Sequence, residues 1–121
     1  MGALRVVVPD VDEALTAYAA AGYEVAQRWG PPFAILASAD GPEVWLSGPG
    51  TSAARSLEGL SAEDAACASV RQVLEVDDVA AAVAGLVAAG WEPAGEELAG
   101  PGGSQQLLRR GPVFLEVFAG G

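Results

Sequence analysis

Two stretches of the chain repeat one pattern, and this pattern decides the fold. The first reads VVPDVDEALTAYAAAGYE (Val7–Glu24), and the second reads EVDDVAAAVAGLVAAGWE (Glu75–Glu92), 68 positions further along. When the two are aligned, the acidic residues and the glycines coincide in three identical pairs: Asp10 with Asp78, Gly22 with Gly90, and Glu24 with Glu92. Self-similarity at a fixed spacing is typical of a repeated structural unit, so we predict two copies of one unit.

Each copy carries the signals of a strand followed by a helix. An apolar run comes first, and Asp10 or Asp78 then follows where a side-chain oxygen caps the backbone N–H groups of a helix. The helices are rich in alanine, and Gly22 or Gly90 ends each of them as a left-handed C-cap. The predicted strands are Leu4–Val8 and Val70–Val76, and the predicted helices are Val11–Ala21 and Val79–Ala89.

Three further strand-like stretches follow each helix, separated by turns rich in glycine and proline. They are Glu24–Trp29, Phe33–Ser38 and Glu43–Ser47 in the first copy, and Trp91–Leu98, Ser104–Arg109 and Val113–Phe118 in the second. We therefore predict an α+β fold of two βαβββ modules, residues 1–48 and 69–121, in a single domain of residues 1–121. Residues 49–68 are predicted to be a linker with one short helical turn. The modules pair, within one chain or between two chains, into one curved sheet with the helices outside and a concave cavity inside.

The composition excludes several classes of function. The chain has 121 residues, no histidine and a formal net charge of −10, so a Ser-His-Asp triad and histidine metal ligands are excluded. Nucleic-acid binding is disfavoured because phosphate backbones require clustered basic residues. The acidic charge either favours cationic ligands or only keeps the protein in solution.

The remaining expectations from composition concern location and the one cysteine. No apolar run is long enough to cross a membrane and no signal-peptide pattern opens the chain, so we expect a cytoplasmic protein with no membrane partner. Cys67 is the only cysteine, and no histidine is present to activate it. Because its neighbours are mostly alanines, we predict that Cys67 is a small buried residue.

The doubled βαβββ pattern resembles the vicinal oxygen chelate superfamily, which includes glyoxalase I, extradiol dioxygenases and the bleomycin-resistance proteins. The stretches that carry the resemblance are RVVVPDVDEALTAYAAAGYE, LEVDDVAAAVAGLVAAGWE and GPVFLEVF. The resemblance implies a divalent metal held in the concave face by four side chains from the first and last strands of each module. The corresponding positions here are Ala3, Trp45, Arg71 and Glu116, with a one-residue slip left open at Trp45. Because only Glu116 offers a metal ligand, we predict no metal cofactor and no metal-dependent glyoxalase or dioxygenase activity.

The last strand places a carboxylate between two phenylalanines. Successive side chains of a strand face opposite sides, so Phe114, Glu116 and Phe118 share one face. If the positions implied by the resemblance converge, Arg71 and Glu116 form a bidentate ion pair inside the cavity. Either this pair only neutralises a leftover carboxylate, or Glu116 and its aromatic neighbours contact a ligand.

Aromatic side chains also mark the first module. If Trp45 faces the cavity, Glu43 and Ser47 share its face, and an indole beside a carboxylate suits flat or cationic organic molecules. Trp29 and Phe33 flank a Gly-Pro-Pro turn at a predicted hairpin tip, where a rim or dimer contact is favoured over the core. The predicted ligand-binding residues are therefore Trp29, Phe33, Glu43, Trp45, Arg71, Phe114, Glu116 and Phe118.

Three functions remain open from the sequence. The favoured one is non-enzymatic binding and sequestration of a small aromatic or cationic organic molecule. The resemblance to bleomycin-resistance proteins implies this function, together with a homodimer and no cofactor. The alternative is a metal-independent enzyme of the same fold, in which Glu116 is the acid or base and Arg71 stabilises an oxyanion. The third is a structural or regulatory dimer that binds no small ligand.

Overall fold

The computed structural model describes residues 2–120, which form a mixed α+β fold. The first module contains β1 (Ala3–Val7), α1 (Val11–Ala20), β2 (Glu24–Trp29), β3 (Phe33–Ala37) and β4 (Glu43–Ser47). The segment between the modules contains α2 (Ser52–Arg55) and α3 (Ala62–Ala68). The second module contains β5 (Val70–Glu75), α4 (Val79–Ala88), β6 (Glu92–Pro93), β7 (Leu98–Gly100), β8 (Gly103–Arg110) and β9 (Val113–Gly120).

The two modules join edge to edge in one sheet. The strand order is β2-β3-β4-β1-β5-β9-β8-β6, with β7 paired to β8, so within residues 2–120 the sheet stays open. The first strands of the modules, β1 and β5, pair antiparallel at the centre and place Arg5 opposite Arg71. The last strands, β4 and β9, lie parallel to them. The predicted fold class is confirmed, and the modules pair within one chain.

Helices α1 and α4 cover the face of the sheet that is opposite to Glu116. Leu46 of β4 packs in a buried cluster with Val11 of α1, and Val117 of β9 packs in another with Val79 of α4. Alternation along β9 sends Val117 to this face and Glu116 to the other. Each module therefore has its own apolar layer beneath its own long helix.

The predicted helix ends are confirmed. Asp10 and Asp78 each accept a hydrogen bond from the backbone N–H three residues on, at 3.2 and 3.1 Å. Gly22 and Gly90 follow the helices with φ of +94° and +106°, the left-handed conformation that favours glycine. Among the helices of residues 2–120, none has the length and apolar character needed to cross a membrane.

The predicted strand Trp91–Leu98 is wrong, because the region forms the two short strands β6 and β7 instead. Pro93 has no N–H to donate to a ladder. Gly95 has φ of +148°, which favours glycine and takes the backbone out of the strand conformation. These two residues interrupt what the apolar pattern alone presents as one strand.

Strand β2 forms one edge of the sheet, and all six of its residues are exposed. Its pairing with β3 contains a bulge between Val25 and Gln27, where the register shifts. Arg28 Nη2 donates to Asp12 Oδ1 of α1 at 2.9 Å. The edge strand is thus tied to the helix layer by an ion pair on the outside of the molecule.

The linker is more structured than the single helical turn predicted. Thr51 and Ser61 cap α2 and α3, since each hydroxyl accepts from the backbone N–H three residues on. The two helices lie against the sheet face that carries Glu116, where Ala68 packs with Leu107 and Phe114. The linker therefore covers the second module's half of this face.

Cys67 is exposed, so the prediction that it is buried is wrong. It lies on α3 next to Ala68, which is fully buried against the sheet. Adjacent positions on a helix face different directions, so a single buried residue in a short helix leaves its neighbour in solvent.

Gly103 provides a test of the turn between β7 and β8. It has φ of +143°, and a Cβ at this position would clash with the backbone oxygen of Ala119. We expect Gly103→Ala to lower the free energy of unfolding in urea by at least about 1–3 kcal/mol, the cost of a strained backbone conformation. The matched control is Gly102→Ala, because a Cβ on Gly102 meets no atom within 4 Å. An equal loss in both variants would contradict this reading of the turn.

Candidate functional site

Glu116 lies on the sheet face that the linker partly covers, and it is fully buried. Arg5 holds it in a bidentate pair, with Nε donating to Oε1 at 3.1 Å and Nη2 to Oε2 at 2.7 Å. Arg71 adds one bond, from Nε to Oε1 at 2.9 Å. The predicted ion pair of Arg71 with Glu116 is therefore present, but its bidentate partner is Arg5, which the sequence analysis missed. Arg5 lies on the same face of β1 as Ala3, and side-chain alternation from Ala3 is the signal that points to it.

The other N–H groups of Arg71 donate to neutral oxygens. Nη1 donates to Ala68 O at 2.9 Å, and Nη2 donates to the Ser56 hydroxyl and to Gln105 Oε1, both at 3.1 Å, and to Ala53 O at 3.4 Å. Burial lowers the pKa of the Arg71 guanidinium below its usual value; Glu116 opposes this, and the charge of Arg5 adds to it. A guanidinium remains protonated despite such a shift, so Arg71 is a buried cation.

The ion cluster of Arg5, Arg71 and Glu116 holds two cations and one anion. Arg5 and Arg71 are 4% and 2% exposed, so the surplus positive charge is out of contact with solvent. Buried charges are costly unless they are paired and hydrogen-bonded. Across residues 2–120 every buried side-chain nitrogen and oxygen has a hydrogen-bond partner, including Ser47, whose Oγ accepts from Arg5 Nη1 at 3.1 Å.

Four aromatic side chains form a continuous row beside this cluster. The ring centroids are 5.3 Å apart for Trp29 and Phe33, 6.5 Å for Phe33 and Trp45, and 5.3 Å for Trp45 and Phe118. The guanidinium carbon of Arg5 lies 5.1–5.8 Å from the last three ring centroids. These rings stabilise the cation by cation–π contact, which offsets part of the surplus charge.

The aromatic row is buried at its centre and open at its first end. Trp45 is 6% exposed and Trp29 is 51% exposed, while Phe33 and Phe118 are half-buried. The inward register predicted for Trp45 is confirmed, since Trp45 lies over Arg5. Its Nε1 donates to Glu43 Oε1 at 2.8 Å, so Glu43 fixes the indole from the exposed side.

Phe114 does not join the row, although it shares a face of β9 with Phe118. It packs beneath the linker with Leu107 and Ala68. The guanidinium carbon of Arg109 lies 4.8 Å from its ring centroid. The linker helices thus divide the predicted ligand-binding residues into a covered group and an open group.

The four positions that the resemblance assigns to metal ligands do come together. Ala3 and Trp45 pack in one buried cluster with Val73, and Arg71 is bonded to Glu116. Their chemistry does not fit a metal, because a methyl group, an indole and a guanidinium supply no donor. In the described part of the chain, no group of three or more His, Cys, Asp and Glu side chains is placed to hold a metal ion.

Solved structures identify the fold of this chain. A glyoxalase/bleomycin resistance protein/dioxygenase superfamily member from Vibrio splendidus 12B01 matches with a TM-score of 0.57 and 17% identity, over 98% of this chain and 97% of that chain. An NAD-dependent benzaldehyde dehydrogenase from Legionella pneumophila matches with a TM-score of 0.75 and 10% identity, over the whole of both chains. A hypothetical protein from Bacillus halodurans C-125 matches with a TM-score of 0.66 and 14% identity, over 98% of this chain and 92% of that chain.

This chain therefore has the vicinal oxygen chelate fold of the glyoxalase/bleomycin resistance/dioxygenase superfamily, as the sequence predicted. Identities this low establish the fold and nothing about ligand or activity. No protein-family model and no curated protein matches the sequence.

Removing the charge of Glu116 tests the ion cluster. Glu116→Gln leaves two buried guanidinium groups without an anion, and we expect the free energy of unfolding in urea to fall by about 3–5 kcal/mol. Replacing Arg5 by Met in the same chain removes one of the two cations, so the double variant should recover part of the loss.

The matched control is Glu75→Gln, which neutralises an exposed carboxylate on the face of β5 that also carries Arg71. Its effect should stay within about 0.5 kcal/mol, as for most surface substitutions. If Glu116→Gln is as mild as this control, the ion cluster is not a constraint on the fold.

Proposed function

We propose that the protein binds a small, flat aromatic molecule without altering it, at the open end of the aromatic row, and so sequesters it. The observation that carries this proposal is the row itself, in which the exposed Trp29 and the half-buried Phe33 and Phe118 lie beside the buried Trp45. Exposed aromatic side chains that share one face are typical of ligand and partner sites. The row lies on the half of the sheet face that the linker leaves uncovered.

The row is preorganised for stacking. Phe33 and Trp45 are packed against each other and against Arg5, and the Glu43 bond fixes the indole of Trp45. A ligand that stacks on Trp29 and Phe33 therefore orders few side chains when it binds, and this lowers the entropic cost of binding.

The charges favour an aromatic ligand over a cationic one, the two classes that the sequence left open. The place of a cation among the rings is taken by the protein's own Arg5. A second cation beside it would face the surplus positive charge of the ion cluster. This argument outweighs the acidic net charge, because charges at the surface are screened by salt and buried charges much less.

The enzyme alternative receives less support from the geometry. Glu116 is fully buried, and both of its oxygens already accept bonds from guanidinium groups, so it has no access to a substrate proton. The solved structures of this fold include a protein named as a dehydrogenase, so the fold alone does not decide the matter.

Truncating the open end of the row should weaken the binding of a neutral aromatic probe. We expect Trp29→Ala and Phe33→Ala each to reduce the affinity for 2-naphthylmethanol by about 1–3 kcal/mol, the usual cost of losing an aromatic anchor. Isothermal titration calorimetry measures this without relying on tryptophan emission. The cation 2-naphthylmethylamine, which has the same shape, should bind more weakly than the alcohol because of Arg5.

The control is Trp91→Phe, since Trp91 packs beneath α4 on the opposite face of the sheet. It should bind the probe like the parent protein. A parent protein that does not bind the alcohol, or variants at Trp29 and Phe33 that bind it unchanged, would show that the row is not the site.

Light scattering on the same variants tests whether a second copy of the chain, and not a small molecule, covers the aromatic row. The homodimer implied by the resemblance stays a prediction. If Trp29→Ala converts a dimer to a monomer and leaves probe affinity unchanged, the row is an interface and the binding proposal is wrong.

A further inference from the structure

Arg71 is held from above by the linker. We call residues 49–68, which contain α2 and α3, the cover. Three of the oxygens that accept from the Nη groups of Arg71 belong to the cover: Ala53 O, the Ser56 hydroxyl and Ala68 O. All three are neutral, so they satisfy the geometry of the guanidinium without balancing its charge.

The ion cluster leaves one buried positive charge without a balancing anion. Glu116 balances only one of the two buried guanidinium groups, and it accepts two bonds from Arg5 but one from Arg71. The rings of the aromatic row lie against Arg5, whereas the Nη groups of Arg71 lie against the cover. An anionic oxygen would bond Arg71 more strongly than a hydroxyl or a carbonyl does, because charge-assisted hydrogen bonds are about twice as strong.

The cover is held to the sheet by one small apolar cluster and by polar contacts, which include the ion pair of Asp64 with Arg109. Ser52 Oγ accepts from Gln105 Nε2 at 3.1 Å, and Arg55 Nη2 donates to Ala99 O at 3.1 Å. Its apolar contacts with the sheet come from a few side chains around Leu107 and Phe114. Segments with few buried apolar contacts open locally at lower free energy than the rest of a fold.

A cavity of about 210 Å³ reaches the cover from outside. Ser56 and Leu107 line it, and the hydroxyl of Ser56 is one of the groups that accept from Arg71. Glu58 and Glu96 also line this cavity and repel free inorganic anions, with Arg55 as a partial counter-charge. An organic acid has an apolar body to offset this repulsion by contact with Leu107, so it fits better than an inorganic anion.

We propose that the cover is a lid over an anion-binding site at Arg71, and that the carboxylate of a small organic acid replaces the cover's oxygens when the lid opens. The acid enters by the cavity beside Ser56, and its carboxylate balances the second guanidinium of the ion cluster. This site lies apart from the aromatic row, so the proposal does not depend on the function proposed for the row.

Two residues lie close enough for an engineered disulfide to hold the lid closed. A Cβ on Gly100 of β7 would lie 3.4 Å from the Cβ of Ser52 on α2. This is close to the range of about 3.5–4.5 Å that disulfides span between Cβ atoms. A chain with Ser52→Cys and Gly100→Cys, and with Cys67→Ala to prevent mispairing, ties the cover to the sheet when it is oxidised and frees it when it is reduced.

The test is the affinity of this one chain for benzoate, measured by calorimetry in both redox states. The reduced chain should bind benzoate, and the oxidised chain should bind it at least about tenfold more weakly, since a closed lid withholds charge-assisted bonds. Benzamide has the same shape without the charge and should bind the reduced chain at least about tenfold more weakly than benzoate.

Three results of these titrations would overturn the proposal: equal benzoate affinity in both redox states, equal affinity for benzoate and benzamide, or no benzoate binding by the reduced chain. Adding Trp29→Ala to the reduced chain separates the two sites. If this addition abolishes benzoate binding, the probe was on the aromatic row and the lid proposal is wrong. If the affinity is kept while the 2-naphthylmethanol affinity of the Trp29 variant falls, both proposals are supported.

Discussion

The fold depends on one buried carboxylate that holds two guanidinium groups from different modules. Antiparallel pairing of β1 with β5 places Arg5 directly opposite Arg71, and like charges at such a position are destabilising on their own. Glu116 accepts from both, so it converts a repulsive contact at the junction of the modules into a bridge between them. The two modules meet through β1 and β5, and this junction is where the bridge lies.

The rest of the sheet face is arranged around the one positive charge that Glu116 does not balance. On one side three rings surround Arg5, and on the other the cover supplies oxygens to Arg71. The two guanidinium groups are thus stabilised by different means, aromatic surface and neutral hydrogen-bond acceptors. The same division separates the open half of the face from the covered half.

Much of this fold is readable from the sequence because its signals are local. The caps Asp10 and Asp78 and the glycines Gly22 and Gly90 act within a few residues of their positions, and the register of Trp45 follows from period-two alternation. Arg5 could not be assigned in the same way, since its partner Glu116 is distant in sequence and the contact depends on how the modules pair. The cover was missed for a related reason, because its helices are short and their place is fixed by the sheet beneath them.

The bulge in β2 has a consequence for the behaviour of the protein at high concentration. An edge strand offers free backbone donors and acceptors, and a regular edge is a template on which other chains add strands and build fibrils. The register shift between Val25 and Gln27 breaks the regular spacing of those groups in the middle of the strand. An incoming strand could pair with only half of this edge, so the bulge protects the exposed Val25 and Trp29 from seeding aggregation.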